Sequence, residues 1–287
     1  MTVRFDGRVA VVTGAGRGIG RAYANLLASR GAQVVVNDVD AEPAATAAQE
    51  IVAAGGAAIA DSNDVAVASG AGALVRTAVE RFGRLDALIN NAGNIRWAGM
   101  PDVDEANLAT HLAVHLGGSF NTTRAAWPHM VDRGYGRVVM TTSSGVFGLP
   151  NNTSYATAKG AIIGLARSLA TAGADHGIKV NLIAPGAFTR MAGRGDEPPG
   201  MSPDLVAPMA AFLAHEDCPV TGEIYAAGFG RFARMFIAQT EGYVASDPTI
   251  EDVAEHWKAI NDESGYYVPA DLTAWSDFFM RHLNAKD

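Results

Sequence analysis

Tyr155 and Lys159 stand four residues apart in the run Tyr-Ala-Thr-Ala-Lys, a spacing that sets both side chains on one face of a helix. A phenol of ordinary acidity, with a pKa of about 10, is a poor base at neutral pH, but an adjacent ammonium stabilises the phenolate. The pair therefore suits proton exchange with a substrate hydroxyl. Alone, the same spacing more often marks an exposed lysine beside a core tyrosine. A second candidate is Thr13-Gly14-Ala15-Gly16-Arg17-Gly18-Ile19-Gly20, which follows a β-branched stretch and opens an apolar helix through Ala22, Leu26 and Leu27. That is the context of a dinucleotide-binding turn. Glycines let the backbone approach a pyrophosphate, and the unpaired N–H groups of the helix start attract it.

Asp38 follows the glycines by about 20 residues, where a carboxylate accepts hydrogen bonds from the adenosine ribose. It would repel a 2′-phosphate, so NAD is expected over NADP, although Arg17 inside the turn could attract that phosphate. Without the glycines, Asp38 would read as a helix cap or a solvated loop residue. Asp64-Val65 and Asn90-Asn91-Ala92-Gly93 add polar groups where a third and a fourth strand should end; turn chemistry explains them equally well.

The elements that must position these residues follow from periodicity. Val9–Val12 and residues 34–36, 88–89, 138–140 and 180–183 are short β-branched or apolar runs, with longer Ala/Leu-rich helical stretches between them. Such alternation builds a mostly parallel sheet with helices on both faces. Residues 1–230 read as a single α/β domain. Residues 193–203, with three Gly and three Pro, read as a loop placed to act as a lid. From 231 to 287 the character changes to an aromatic-rich extension, expected to be helical and to pack on the same domain or on a neighbouring subunit. The formal charge of −8 disfavours nucleic acid and anionic membranes as partners. Cys218 is the single cysteine, which excludes an internal disulfide or a cysteine zinc site and fits a reducing compartment. No metal is expected. No signal-like start or membrane-length apolar run is present, so a cytoplasmic location is expected.

Taken in order, Thr-Gly-x-x-x-Gly-Ile-Gly, Asn-Asn-Ala-Gly, a Ser-rich strand end, Tyr-x-x-x-Lys and Asn181-x-x-x-Pro185-Gly186 resemble the short-chain dehydrogenase/reductase family, over residues 5 to about 230. The resemblance implies a doubly wound, Rossmann-like fold and a bound NAD. It makes Tyr155 the acid/base, has Lys159 tune it and hold the nicotinamide ribose, and gives a serine the substrate oxygen. It also implies that Gly14, Gly16, Arg17, Gly18, Ile19, Gly20, Asp38, Asp64, Val65, Asn91, Ala92, Gly93, Pro185, Gly186 and Thr189 line the cofactor site along with Tyr155 and Lys159. Counting along the strand from Arg137 selects Ser143 as that serine, with Thr142 and Ser144 as alternates. The family often carries an asparagine in its fourth helix that anchors a relay water; here that position is His115.

Arg21-Ala-Tyr23, Val35-Val36-Asn37-Asp38, Val114-His115-Leu116, Arg124-Ala-Ala-Trp127 and Val206-Ala-Pro208 resemble one branch, the (3R)-hydroxyacyl-CoA dehydrogenase unit of peroxisomal multifunctional enzymes. The reaction so implied is NAD-linked oxidation of a 3-hydroxyacyl-CoA to the 3-oxo thioester. The chain has no room for fused hydratase or sterol-carrier domains, and its ending is not a peroxisomal address, so a stand-alone enzyme is expected. Arg190, Arg194, Arg231 and Arg234 are candidates for CoA phosphates. Other readings are a steroid or carbonyl reductase and an NAD-binding sensor without turnover. Helices around 105–133 and 154–175 are expected to pair in a homodimer or homotetramer.

Overall fold

The computed structural model describes residues 3–191, 193 and 196–284. The chain runs β1 (Val9–Val12), α1 (Gly18–Ser29), β2 (Gln33–Asn37), α2 (Ala41–Ala53), β3 (Ala57–Asp61), α3 (Ala68–Phe82) and β4 (Ala87–Asn90). It continues through α4 (Glu105–His111), a π-helical turn at Leu112–Gly117, α5 (Gly118–Arg133), β5 (Gly136–Thr141), α6 (Thr153–Ala172), β6 (Ile178–Gly186), α7 (Ala207–Leu213), β7 (Ile224–Gly228) and β8 (Arg231–Met235). Every residue of β1, β4 and β5 is buried, because helices cover both faces of the sheet.

The strand order β3-β2-β1-β4-β5-β6-β7-β8 is the doubly wound arrangement, and the pairs from β3 to β7 are parallel. Chain direction across the sheet reverses between β1 and β4, which opens a crevice beyond their C-terminal ends. Beneath one face lies a core of small and branched side chains, among them Tyr23, Leu27, Val34, Ile89 and Ile183. At the opposite edge of the sheet the buried Asp86 carboxylate accepts from Val9 N at 2.9 Å and from both Arg8 and Arg84.

Residue 231 had marked the start of the extension, yet the structure gives residues 231–235 to the sheet as β8. Only Phe229 and Gly230 link it to β7, a connection too short for a parallel crossover, so the two strands form a hairpin. Both linking residues have positive φ, 56° and 76°, as a tight hairpin turn of matching twist requires. The first compact unit ends at Arg234 and the second begins at Met235.

Among its described residues the second unit holds four short helices, α8 (Ile250–Glu255), α9 (Trp257–Ile260), α10 (Leu272–Phe279) and α11 (Arg281–Asn284). Thr249 and Asp252 close a capping box at the start of α8. Aromatic stacks join Tyr243 to His256, Tyr267 to Phe278 and Trp275 to Phe279, and Gln239 pairs with Tyr267 through their backbones. No residue from 235 to 283 is fully buried.

Asp86→Ala takes the carboxylate from Arg84 and from the buried Val9 N–H, while Arg8 keeps its pairing with Glu216. It is expected to cost about 2–3 kcal/mol, read from the urea unfolding midpoint; a loss below about 0.5 kcal/mol would place the anchor of this edge elsewhere.

Candidate active site

The glycine turn is built from strand ends. Thr13 Oγ1 accepts from the N–H groups of Asn91 and Ala92, each at 3.0 Å, while Asn91 Nδ2 donates to the carbonyls of Thr13 and Gly14. Helix α1 then begins with no side-chain cap and no acidic residue in its first turn, so its N–H groups and positive dipole end face the crevice. Gly18 sits at φ 53°, and a Cβ there would project towards Thr189 Cγ2 at 3.5 Å. A Cβ on Gly20 would lie 2.3 Å from the Gly14 carbonyl oxygen, which seals the helix against the turn.

Asp38 follows β2 and is held at both oxygens: Oδ2 accepts from Gly16 N at 3.1 Å and Oδ1 from Asp40 N at 3.1 Å. A cleft of about 370 Å³ here is lined by Gly14, Arg17, Gly18, Ile19, Gly20, Asp38, Asp64, Val65, Asn91, Ala92, Gly93 and Thr189. Gly16 and Gly186, expected in the lining, do not contribute to it: the first backs onto Asp38 and Pro43, and the second lies under the Phe229 ring. The uncapped helix start, the side-chain-free turn and the fixed carboxylate together fit a dinucleotide, with phosphates at α1 and the adenosine ribose at Asp38.

An adjoining cavity of about 260 Å³ is lined in part by His115, Ser143, Tyr155, Lys159 and Pro185, and shares Ile19, Asn91, Gly93, Thr189 and Met191 with the first cleft. Lys159 is buried and donates to the Thr141 carbonyl at 2.7 Å; burial pushes its pKa down to about 7. Its Nζ lies 5.6 Å from the centre of the Tyr155 ring. Burial pushes the Tyr155 phenol above its ordinary range, and the Ser143 side chain opposes that rise. Removal from water, not the ammonium, sets the direction of this shift;. Of the three hydroxyls before Tyr155, Thr142 is committed to the Lys159 carbonyl at 2.8 Å, whereas Ser143 and Ser144 face the cavity.

His115 lies in the π turn, edge-on to Tyr155 with 5.4 Å between ring centres and stacked on His111 at 5.9 Å. His115 Nε2 lies 2.8 Å from the Asn94 carbonyl, to which it donates in one tautomer, and 3.3 Å from the Asn94 N–H, from which it accepts in the other, while Nδ1 is buried with no hydrogen-bond partner among the described residues;. Burial, aided by Lys159, pushes its pKa down to about 2, and it stays neutral.

Residues that the motifs did not mark are Ile95, Trp97, Thr141, Gly145, Leu149, Asn152, Ala187 and Met191 in the second cavity, and Asn37, Val39, Asp40, Asn63, Asn94 and Val114 in the first. Asn37, Val39, Asp40, Asn63 and Asn94 were findable as neighbours of strand ends already marked. Of the arginines expected at CoA phosphates, Arg190 lines the first cleft beside Asp40, Arg234 pairs with Glu223, Arg231 is exposed, and Arg194 lies outside the described residues.

The short chain dehydrogenase profile matches residues 8–197, and the chain belongs to that family of oxidoreductases, whose members use nicotinamide dinucleotides. A short-chain type dehydrogenase/reductase of Mycobacterium tuberculosis is 40% identical over 90% of this chain and 95% of its own. Peroxisomal multifunctional enzyme type 2 of Drosophila melanogaster is 41% identical over 91% of this chain, which spans 46% of that enzyme's length. The solved full-length Drosophila enzyme superposes with a TM-score of 0.83 at 35% identity, over 98% of this chain and 50% of that one. A 7α-hydroxysteroid dehydrogenase, solved with NADH and 7-oxo glycochenodeoxycholic acid, superposes with a TM-score of 0.74 at 31% identity, over 80% of this chain and 96% of that one. No helix among the described residues is long and apolar enough to cross a membrane.

The folded state keeps His115 neutral, while the unfolded chain takes up a proton below about pH 6.5. The associated stability is present above pH 6.5 and is lost as pH falls towards 2;. His115→Asn is therefore expected to remove roughly 2–3 kcal/mol of the acid destabilisation at pH 4. Thermal unfolding from pH 7 to 4 tests this, and parallel curves for variant and parent would assign the loss to other groups.

Proposed function

We propose that this enzyme uses NAD to interconvert a secondary alcohol and a ketone, and that its substrate is a (3R)-3-hydroxyacyl-CoA, oxidised to the 3-oxo thioester. The observation that carries the reading is the convergence of Ser143, Tyr155 and Lys159 on one cavity continuous with the Asp38 cleft. Gly14, Gly18, Ile19 and Gly20 would hold the pyrophosphate, Asp38 the adenosine ribose, and Tyr155, Lys159, Pro185 and Thr189 the nicotinamide end. When bound, the nicotinamide supplies the hydride acceptor.

The side chains around it handle the proton. Ser143 donates to the substrate oxygen and orients the carbinol. Tyr155 takes the hydroxyl proton on oxidation and returns it on reduction. Lys159, poised near neutrality, supplies the positive charge that makes phenolate accessible once the alcohol oxygen is in place. Its hydrogen bond to Thr141 fixes where that charge sits. His115 is assigned to the proton relay as a neutral imidazole whose buried Nδ1 is open to a further partner, not as an acid.

The substrate assignment draws on the similarity to the multifunctional enzymes and on the apolar wall of Ile95, Trp97, Leu149 and Met191. The same wall suits a steroid, as the similarity to the hydroxysteroid dehydrogenase would have it. The expected homo-oligomer is supported by an apolar groove of Phe120, Trp127 and Leu169 across α5 and α6, and by the unburied aromatics of residues 235–283, both of which call for cover by a second copy. A cytoplasmic site of action rests on the free, buried Cys218;, although several relatives are peroxisomal by name.

Tyr155→Phe is expected to lower kcat/KM on the order of 10³-fold while calorimetry still detects NAD binding; undiminished turnover would overturn its role. With NAD at 340 nm, (3R)-hydroxyacyl-CoA is expected to outpace its (3S) isomer and a panel of hydroxysteroids. Turnover of steroids alone would keep the chemistry and replace the substrate.

A further inference from the structure

Resting on the NAD reading above, we propose that Asp40 is a positioning residue for cofactor choice: it occupies Arg17 and so denies a 2′-phosphate its guanidinium. Arg17 is the one cation inside the glycine turn, and a guanidinium beside the adenosine ribose is what a 2′-phosphate needs. In the structure it is spoken for. Arg17 Nη1 donates to Asp40 Oδ2 at 2.6 Å, and both residues line the cleft that holds Asp38.

The pairing is built rather than incidental. Asp38 accepts from Gly16 N with one oxygen and from Asp40 N with the other, which ties the backbone of the turn to that of the β2–α2 link. With residues 16 and 40 held to the same carboxylate, the Arg17 and Asp40 side chains emerge side by side. Arg190, in the same cleft, adds a second positive charge that helps hold the Asp40 carboxyl below the usual range, after Arg17 itself. The cleft thus contains two arginines that could welcome a phosphate and three carboxylates, Asp38, Asp40 and Asp64. Asp38 excludes the phosphate by repulsion; Asp40 does so by engaging the group that would otherwise bind it.

Asp40 is exposed and stands at the N-cap of α2 without a capping hydrogen bond, and Asn is an equally good N-cap residue, so Asp40→Asn isolates the charge. Calorimetric Kd values for NAD and NADP would be measured on the parent, Asp40→Asn, Arg17→Gln and the double variant, with Tm as a folding check. In Asp40→Asn the ratio of the NADP Kd to the NAD Kd is expected to fall about tenfold, the scale of one partly screened charge-assisted contact. The double variant is expected to return to the parent ratio. A ratio in Asp40→Asn within about twofold of the parent, or an equal gain in the double variant, would overturn the proposal, since both differ from the contact scale expected of a freed guanidinium. A parent that binds NADP at least as tightly as NAD would instead overturn the cofactor reading, and this inference with it.

Discussion

The site depends on a lock between two strand ends. Thr13 closes β1 and Asn91 follows β4, and four hydrogen bonds pass between Thr13-Gly14 and Asn91-Ala92. Every polar group of that exchange is a backbone group or a side chain with a fixed partner, so the turn is preorganised before any ligand arrives. The register of β1 against β4 sets where the turn sits, and the turn sets where α1 starts. Loss of the Asn91 amide would leave two carbonyls and the start of the helix without their common anchor.

Electrostatics then divide the crevice into two regimes. At the Asp38 end, charges are exposed, and Arg17 is paired with Asp40. At the chemical end, removal from water dominates: Lys159 falls towards neutrality, Tyr155 resists ionisation and His115 stays uncharged. A substrate hydroxyl entering this second region meets groups with little bulk water to stabilise their charged forms. Proton transfer there is governed by partners within hydrogen-bond reach, which is why the placement of Ser143 and of the Thr141 carbonyl matters.

Much of this was legible in the residues. Short β-branched runs separated by helical stretches give the parallel sheet, and the glycine turn, Asp38, Tyr155 and Lys159 are marked by type and spacing. The edge hairpin was not, because Phe229 at positive φ is a residue no turn rule would choose and the aromatic change of character draws the eye to 231. The apolar wall of Ile95, Trp97, Leu149 and Met191 carries no motif; such side chains look like any others until the fold leaves them at a cavity. The direction of the Tyr155 shift also escaped, since spacing shows the nearby ammonium but not how deeply the phenol is buried. For Gly16 and Gly186 the pattern records only that glycine is needed, and it does not distinguish a ligand from a neighbouring side chain such as Pro43 or Phe229.

The wide turn at Leu112–Gly117 lies between α4 and α5, both ordinary helices, and its hydrogen bonds span one more residue than those of its flanks. Deleting a single residue there would restore regular winding and swing the remainder of the segment by about 100°. His115 would leave the face it shares with Tyr155, while the flanking helices could keep their own hydrogen bonds. Chain length at this spot therefore controls the identity of a cavity-facing group independently of the side chains encoded around it, so related sequences could diverge here by gap as readily as by replacement.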